Sequence, residues 1–242
     1  MRKYGGLIKK HCSCNELFFN KQLLYMKALY FLLAGCILFS SCTKNSEGVI
    51  KQTVTPVYPV ITLKGDPALA ISIGSTYTDP GATAFDSLAN STTTLTPLVN
   101  PVDPKTPGVY FVNFQAINKW GYRTQATRLV LVTSTPASDD ISGTYKRTSN
   151  SAVVHITKLA TGLYSVDNLG GVAAGSNPVF FFPYVIGLTD LNTLVGPNQP
   201  TPLGGIFLDK TSIDRSGGTV TLKWAIEAPQ GFGNSVRTFV KQ

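Results

Sequence analysis

Pro107-Gly108-Val109-Tyr110-Phe111-Val112-Asn113-Phe114-Gln115-Ala116 decides the fold class. In an extended chain Tyr110, Val112, Phe114 and Ala116 share one side, while Asn113 and Gln115 lie on the other. A period of two is what a strand with one buried face requires. A short turn and a second extended run, Thr124 to Val132, follow. Working backwards, Gly74-Ser75-Thr76-Tyr77-Thr78-Asp79-Pro80-Gly81-Ala82-Thr83-Ala84 is preceded by two short runs, Pro59–Asp66 and Ile71–Gly74. From residue 58 onward, short stretches rich in Val, Ile, Thr and Tyr are cut by Gly, Pro, Asn and Asp, and no stretch of ten residues carries a helical period. Short strands at spacings near ten residues predict an all-β chain, a sandwich or a barrel.

Beyond Thr135, Pro136-Ala137-Ser138-Asp139-Asp140 reads as a short polar linker. The second block, 141–242, opens on Ile141-Ser142-Gly143-Thr144-Tyr145-Lys146-Arg147 and predicts strands at 152–158, 162–166, 179–186, 204–209, 219–226 and 236–240. Val179-Phe180-Phe181-Phe182-Pro183-Tyr184 is the densest aromatic run. A continuous apolar run is expected to be a strand buried on both faces; the other reading is a glycan-binding platform. Trp224, in Leu222-Lys223-Trp224-Ala225-Ile226, is expected in the core.

Three motifs in order, the opening strand, Gly74–Ala82 and Pro107–Val112, resemble the bacterial immunoglobulin-like domain of some pesticidal crystal proteins and many surface lipoproteins of the Bacteroidetes. The resemblance implies an Ig-like β-sandwich over 58–135. The block at 141–242 resembles the C-terminal β-domain that often follows it, which implies a second antiparallel β-domain and no chemistry. Where members of the family often carry an acidic, Gly-containing stretch, this chain has Ser87-Leu88-Ala89-Asn90-Ser91-Thr92-Thr93-Thr94, so no calcium site is carried over.

Upstream, the apolar run Ala28–Phe39 follows Met26-Lys27 and ends in Ser40-Ser41-Cys42, after which the chain turns polar at Thr43-Lys44-Asn45-Ser46-Glu47-Gly48. A basic head, an apolar stretch and small residues before a cut mark a secretory signal. The cysteine directly after the small pair resembles the lipobox of bacterial lipoproteins, which implies a cut before Cys42 and lipidation of its thiol. Leu33-Ala34-Gly35-Cys36 also has lipobox letters, but Ile37-Leu38-Phe39 would then follow the lipidated residue. The run is shorter than the ~20 residues a membrane-spanning helix needs. Residues 1–41 are therefore read as an upstream extension and signal peptide, starting at Met1 or Met26, and 42–57 as a tether. The expected location is the outer membrane, on its periplasmic face or at the cell surface.

The formal charge of +8 belongs largely to the leader; the 201 residues after position 41 carry 15 Lys/Arg against 12 Asp/Glu, a net +3. No basic stripe argues for nucleic acid. All four cysteines lie at or before position 42, which excludes disulfides and thiol catalysis from the rest. His155 is the only histidine after the cut, too few for a zinc site, and no Gly-x-Ser-x-Gly elbow accompanies it. Glu227 is the only Glu beyond the tether. Asp66, Asp79, Asp86 and Asp103 are oxygen ligands in principle, but Asp is also the ordinary turn residue. No catalytic residue, metal or cofactor is implied, and a polysaccharide-processing enzyme is the weakest reading.

The candidate ligand-binding residues are Trp120 and Tyr122, flanked by Lys119 and Arg123, in the turn Asn118-Lys119-Trp120-Gly121-Tyr122-Arg123. Aromatics at an exposed tip suit stacking on a sugar or contact with a partner protein. The other reading folds Trp120 back as a lid on the core. The expected function is a non-catalytic binding or spacer module anchored through Cys42, with glycans as ligand, or else a structural role contacting envelope proteins.

Overall fold

The computed structural model describes residues 55–228 and 231–242. The signal segment, Cys42 and most of the tether lie outside the described residues. Strands β1 (Val60–Leu63), β2 (Ala68–Ser72), β3 (Ala82–Asp86), β4 (Ser91–Leu95), β5 (Gly108–Ile117) and β6 (Arg123–Thr133) form two three-stranded sheets, ordered β1-β3-β4 and β2-β6-β5. The pairing is antiparallel except that β2 runs parallel to β6. The alternation read from the sequence places Val112, Phe114 and Ala116 inside. Ala82, Val112, Phe114 and Val130 form the buried centre, with Ile61, Leu63, Leu69, Ile71 and Tyr77 packed around it. The threonine run that replaces the family's acidic stretch is strand β4, joined to β3 by the turn at 87–90. β-branched threonines suit an exposed edge strand.

The sandwich is tied by a buried cation. Alternation along β6 turns Arg128 inward with Val130, and its side chain is fully buried. Nη1 donates to the Asp66 carbonyl at 2.6 Å; Nη2 donates to the Lys64 carbonyl at 2.8 Å and to that of Gly81 at 3.0 Å. Nε lies 3.0 Å from Asp79 Oδ2, an ionic contact without hydrogen-bond alignment. Asp79 also accepts from the Tyr77 hydroxyl at 2.6 Å and the Gly81 amide at 2.7 Å. Burial first, and then the bond to Asp79, push the Tyr77 phenol well above its ordinary range, so it remains a donor. Gly81 has φ +81°, and a Cβ there would stand 3.1 Å from the Leu95 carbonyl. The Tyr-Thr-Asp-Pro-Gly stretch is therefore the acceptor side of one charge cluster.

The rest of the chain forms a nine-stranded antiparallel sheet: β7 (Gly143–Arg147), β8 (Val153–Ala160), β9 (Leu163–Val166), β10 (Tyr184–Leu188), β11 (Leu194–Val195), β12 (Gln199–Thr201), β13 (Gly204–Asp214), β14 (Thr221–Glu227) and β15 (Arg237–Lys241). Their order is β11-β10-β9-β8-β7-β15-β14-β13-β12, so the last strand pairs with the first. The sheet curls until its two ends meet. The Leu208 amide donates to the Gly196 carbonyl at 2.9 Å, and the Thr211 hydroxyl to that of Leu194 at 2.7 Å. The interior holds Tyr145, Tyr164, Tyr184, Trp224 and Phe239 among aliphatics. Buried polar tips find partners, as they must: Tyr145 donates to the Ile141 carbonyl, Tyr184 to that of Pro197 and Trp224 Nε1 to that of Leu169. Trp224 stacks on Phe239 with centroids 4.3 Å apart, a core position as the sequence predicts.

One expectation needs correction. Residues 179–186 are not a continuous strand buried on both faces. Pro178–Phe180 is a 3-10 turn capped by Asn177, and β10 starts only at Tyr184. Pro183 has no N–H for a ladder. Phe180 and Phe182 both turn toward Phe232, at 5.2 and 6.3 Å, and Phe181 is left exposed.

The connection at 134–142 is bonded rather than free. Thr133 and Thr135 hydroxyls both donate to the Leu188 carbonyl, at 2.6 and 2.9 Å, and the Ser134 amide donates to that of Thr189. Arg215 grips Asp139 with two bonds of 2.9 Å. Gly187 brings β10 against the sandwich, where a Cβ would stand 2.6 Å from Val109 and 2.9 Å from Leu131.

Arg128→Met is expected to cost about 3–5 kcal/mol because it strands a buried carboxylate. The pair Arg128→Met with Asp79→Asn should lose less than the two single losses summed, read by urea unfolding. Gly187→Ala is expected to cost about 1–3 kcal/mol by overpacking, and its urea profile should split into two transitions where the parent shows one.

Candidate functional site

Two exposed aromatic sites stand on the described unit, one on the sandwich and one on the nine-stranded sheet. The first is the β5–β6 tip. Asn118 builds it: its amide donates to the Tyr122 carbonyl, and its carbonyl accepts from Gly121. Asn118 Oδ1 accepts from the amides of Trp120 and Tyr122 at 3.1 and 3.0 Å, and Nδ2 donates to the Val57 carbonyl at 2.8 Å. Gly121 supplies the φ of +84° the turn needs. The turn points Trp120 outward, 51% exposed, with Lys119 Nζ 4.1 Å from its ring centre. The reading of Trp120 as a core lid is thereby overturned. Tyr122 is half-buried against Tyr58, centroids 5.3 Å apart, and Arg123 is exposed at the start of β6. All four sequence-predicted residues thus share one tip. Beside it a cleft of about 260 Å³ opens between the sheets, lined by Asp86, Ser91, Thr93, Gln115, Asn118 and Lys119.

The second is a shallow depression of about 370 Å³ on the nine-stranded sheet, lined by Thr157, Ser165, Asp167, Phe181, Phe182 and Pro183. Thr157 and Ser165 face each other across β8 and β9. His155, two residues along the same face, has Nδ1 2.7 Å from Asp167 Oδ2, and its backbone amide donates to Oδ1 at 2.8 Å. Both side chains are more than half exposed, so the contact positions them but adds little stability. An exposed aromatic beside hydroxyls and a held carboxylate can stack on a sugar face and hydrogen-bond its hydroxyls. β8 to β10 carry this shelf at the end away from Gly162, Leu188 and Thr189, where the sheet meets the sandwich.

The aspartates have structural roles. Asp79 faces Arg128, and Asp66 contributes its carbonyl. Asp86 Oδ1 accepts from the Leu88 amide. Asp103 accepts from the Thr106 hydroxyl and the Lys105 amide, which hold its carboxyl below the ordinary value. Among the described residues no three His, Cys, Asp or Glu side chains gather to hold a metal.

Sequence reasoning missed Arg128, Tyr58 and Asp167, whereas Phe181 lies in the aromatic run whose other reading is a glycan-binding platform. For Arg128 a signal existed: it shares strand parity with Val130 and Val132, so the strand that buries them buries it too. Tyr58 and Asp167 come from distant chain positions, and no local pattern names them.

Two face-packed three-stranded sheets, with the long β5–β6 hairpin in one of them, define an immunoglobulin-like β-sandwich. Residues 61–132 match the family model described as bacterial surface protein, Ig-like domain. No curated protein matches the chain. Among solved structures, the crystal structure of the lipoprotein BT2262 from Bacteroides thetaiotaomicron is 24% identical, over 76% of this chain and 100% of that one, with a TM-score of 0.36.

Trp120→Ala is expected to leave stability within about 0.5 kcal/mol of the parent, as at other exposed sites. Asn118→Ala removes the acceptor of two part-buried turn amides and the donor to Val57, and should cost about 1 kcal/mol. Thermal unfolding of the two variants side by side checks the contrast.

Proposed function

We propose that the protein is a lipid-anchored, non-catalytic module of the bacterial cell envelope: a spacer that holds a binding surface away from the membrane. The observation that carries this reading is the placement of the two chain features. The Val57 carbonyl is bound by Asn118, so the chain leaving the Cys42 tether enters at the β5–β6 tip. The Phe181 shelf lies on the nine-stranded sheet, at the end of β10 away from Leu188, where that sheet meets the sandwich. Support for a surface location comes from the description of the family model matched at 61–132 and from the signal-like run before Cys42. No helix among the described residues is long and apolar enough to cross a membrane. The outer membrane is the proposed location.

A glycan is the proposed ligand class, and the shelf suits it better than the tip, because the tip lies beside the tether. The non-catalytic reading is supported by the chemistry of the shelf. His155 and Asp167 form an open surface pair, with no enclosed cavity in which their charges would be strengthened.

The assembly reading has one observation in its favour. β2 pairs only with β6 among the described residues, and a groove of about 990 Å³ runs between it and Lys158–Thr161. Pro67 and Ile73 bond toward β6, so by parity the backbone groups of Ala68 and Ala70 face away from it. An extended strand of an envelope protein would add there.

Cys42→Ser is expected to move the protein from the membrane fraction to the soluble fraction; retention in the membrane would sink the anchoring reading. A glycan-array screen of the described unit should give a signal that Phe181→Ala abolishes and Trp120→Ala leaves intact. A blank array with a protein captured on the β2 groove would transfer the function to assembly.

A further inference from the structure

The β5–β6 tip carries more apolar surface than its turn requires. Tyr58, Val60, Phe85, Leu88, Ile117 and Trp120 are all substantially exposed, and all lie at this one end of the sandwich. Their clustering follows from the register. Val60 pairs with Phe85 on the outer face of the β1-β3-β4 sheet, Leu88 sits in the adjoining turn, and Ile117 ends β5 opposite Arg123. The apolar groups therefore ring the end from both outer faces, with Trp120 at its apex. Scattered exposed apolar residues are ordinary, whereas six gathered at one end of a sandwich mark a contact surface.

The same end receives the tether. Val57 is bound to Asn118 at 2.8 Å, and Tyr58 packs on Tyr122. The fifteen residues from Thr43 to Val57 span at most roughly 50 Å when fully extended. The opposite end of the ten-residue strand β5 is about 30 Å farther from that attachment. Lys119 and Arg123 flank the aromatics with positive charge, and Asp86 is the single carboxylate lining the cleft beside them. Trp and Tyr rings with one apolar and one polar side prefer the headgroup level of a bilayer, and neighbouring Lys and Arg meet anionic headgroups there.

We infer that this end of the sandwich seats on the lipid surface, with Trp120, Tyr122 and Tyr58 at headgroup depth and Lys119 and Arg123 against lipid phosphates. This rests on the anchoring reading of Cys42 and deepens it: the acyl chains hold the protein at the membrane, and the tip sets its orientation. The occupant is phospholipid, because the surface is amphipathic and positively flanked, and because the tether enters beside it.

The test uses the full chain, acylated in a bacterial host and reconstituted in vesicles of phosphatidylethanolamine and phosphatidylglycerol, with and without brominated phosphatidylcholine. Trp224 is fully buried in the nine-stranded sheet and serves as the internal reference. Brominated lipid is expected to quench the Trp120 emission. Trp120→Phe should abolish that quenching, and Lys119→Glu with Arg123→Glu should reduce it. Protein that floats with the vesicles yet keeps its full emission overturns the seating and leaves the anchor intact. Protein that fails to float, with an unmodified Cys42 by mass spectrometry, overturns the anchoring reading and takes the seating with it. A Trp120 emission shift on adding oligosaccharide, without lipid quenching, reassigns the tip to glycan and also overturns the seating.

Discussion

A guanidinium buried without solvent must find acceptors in the protein, and Arg128 organises the sandwich around that demand. It takes carbonyls from the end of β1, from the turn into β2 and from the start of β3, and faces the Asp79 carboxylate. These four contacts bring chain segments more than forty positions apart to one point, and they close both sheets onto a small apolar centre. Four buried side chains, two of them valines and one an alanine, make a modest core. A buried ion pair is weak support for net stability, since its desolvation cost is large. Its effect lies in geometry: one guanidinium holds the end of β1 and the start of β3 against β6.

The nine-stranded sheet also buries a guanidinium, Arg237, on the carbonyls of Phe232, Gly233 and Ser235, but its centre is apolar. Its interior is large and aromatic, Tyr145, Tyr184 and Trp224 donate to backbone carbonyls while the Tyr164 hydroxyl accepts from the Ile141 amide, and the curl closes its ends on one another. The two parts meet through hydroxyls of Thr133 and Thr135 on a single carbonyl and through the close approach at Gly187. Small residues at the contact allow the backbones near approach, and threonine hydroxyls satisfy what that approach buries. A junction of this kind transmits orientation. Whatever fixes the angle of the tip also fixes where the shelf points.

The same physics separates the two aromatic sites from the core aromatics. Trp224 and Tyr184 are buried because strand alternation and sheet curl enclose them, and their polar atoms find carbonyls. Trp120 is outside because Asn118 spends its side chain on the turn's own amides, which leaves the indole no route inward. Phe181 is outside because the prolines at 178 and 183 interrupt the strand that would have buried it.

Local pattern carries the all-β class, the alternation of β5, the hairpin tip with its four named residues, and the core position of Trp224. Each rests on a period of two or on turn residues, and both are properties of neighbours in the chain. The Tyr-Thr-Asp-Pro-Gly motif was legible as a motif, but its reason was not, because its partner Arg128 lies some fifty residues later. The strand β4, the broken aromatic run at 178–183, the pairing of Tyr58 with Tyr122 and the shelf of His155, Asp167 and Phe181 were likewise settled only in three dimensions. They depend on which distant groups arrive beside them. A chain's alternation says which side chains turn inward, whereas the acceptor a buried charge finds, or the face an aromatic is left to expose, is decided when the sheets close.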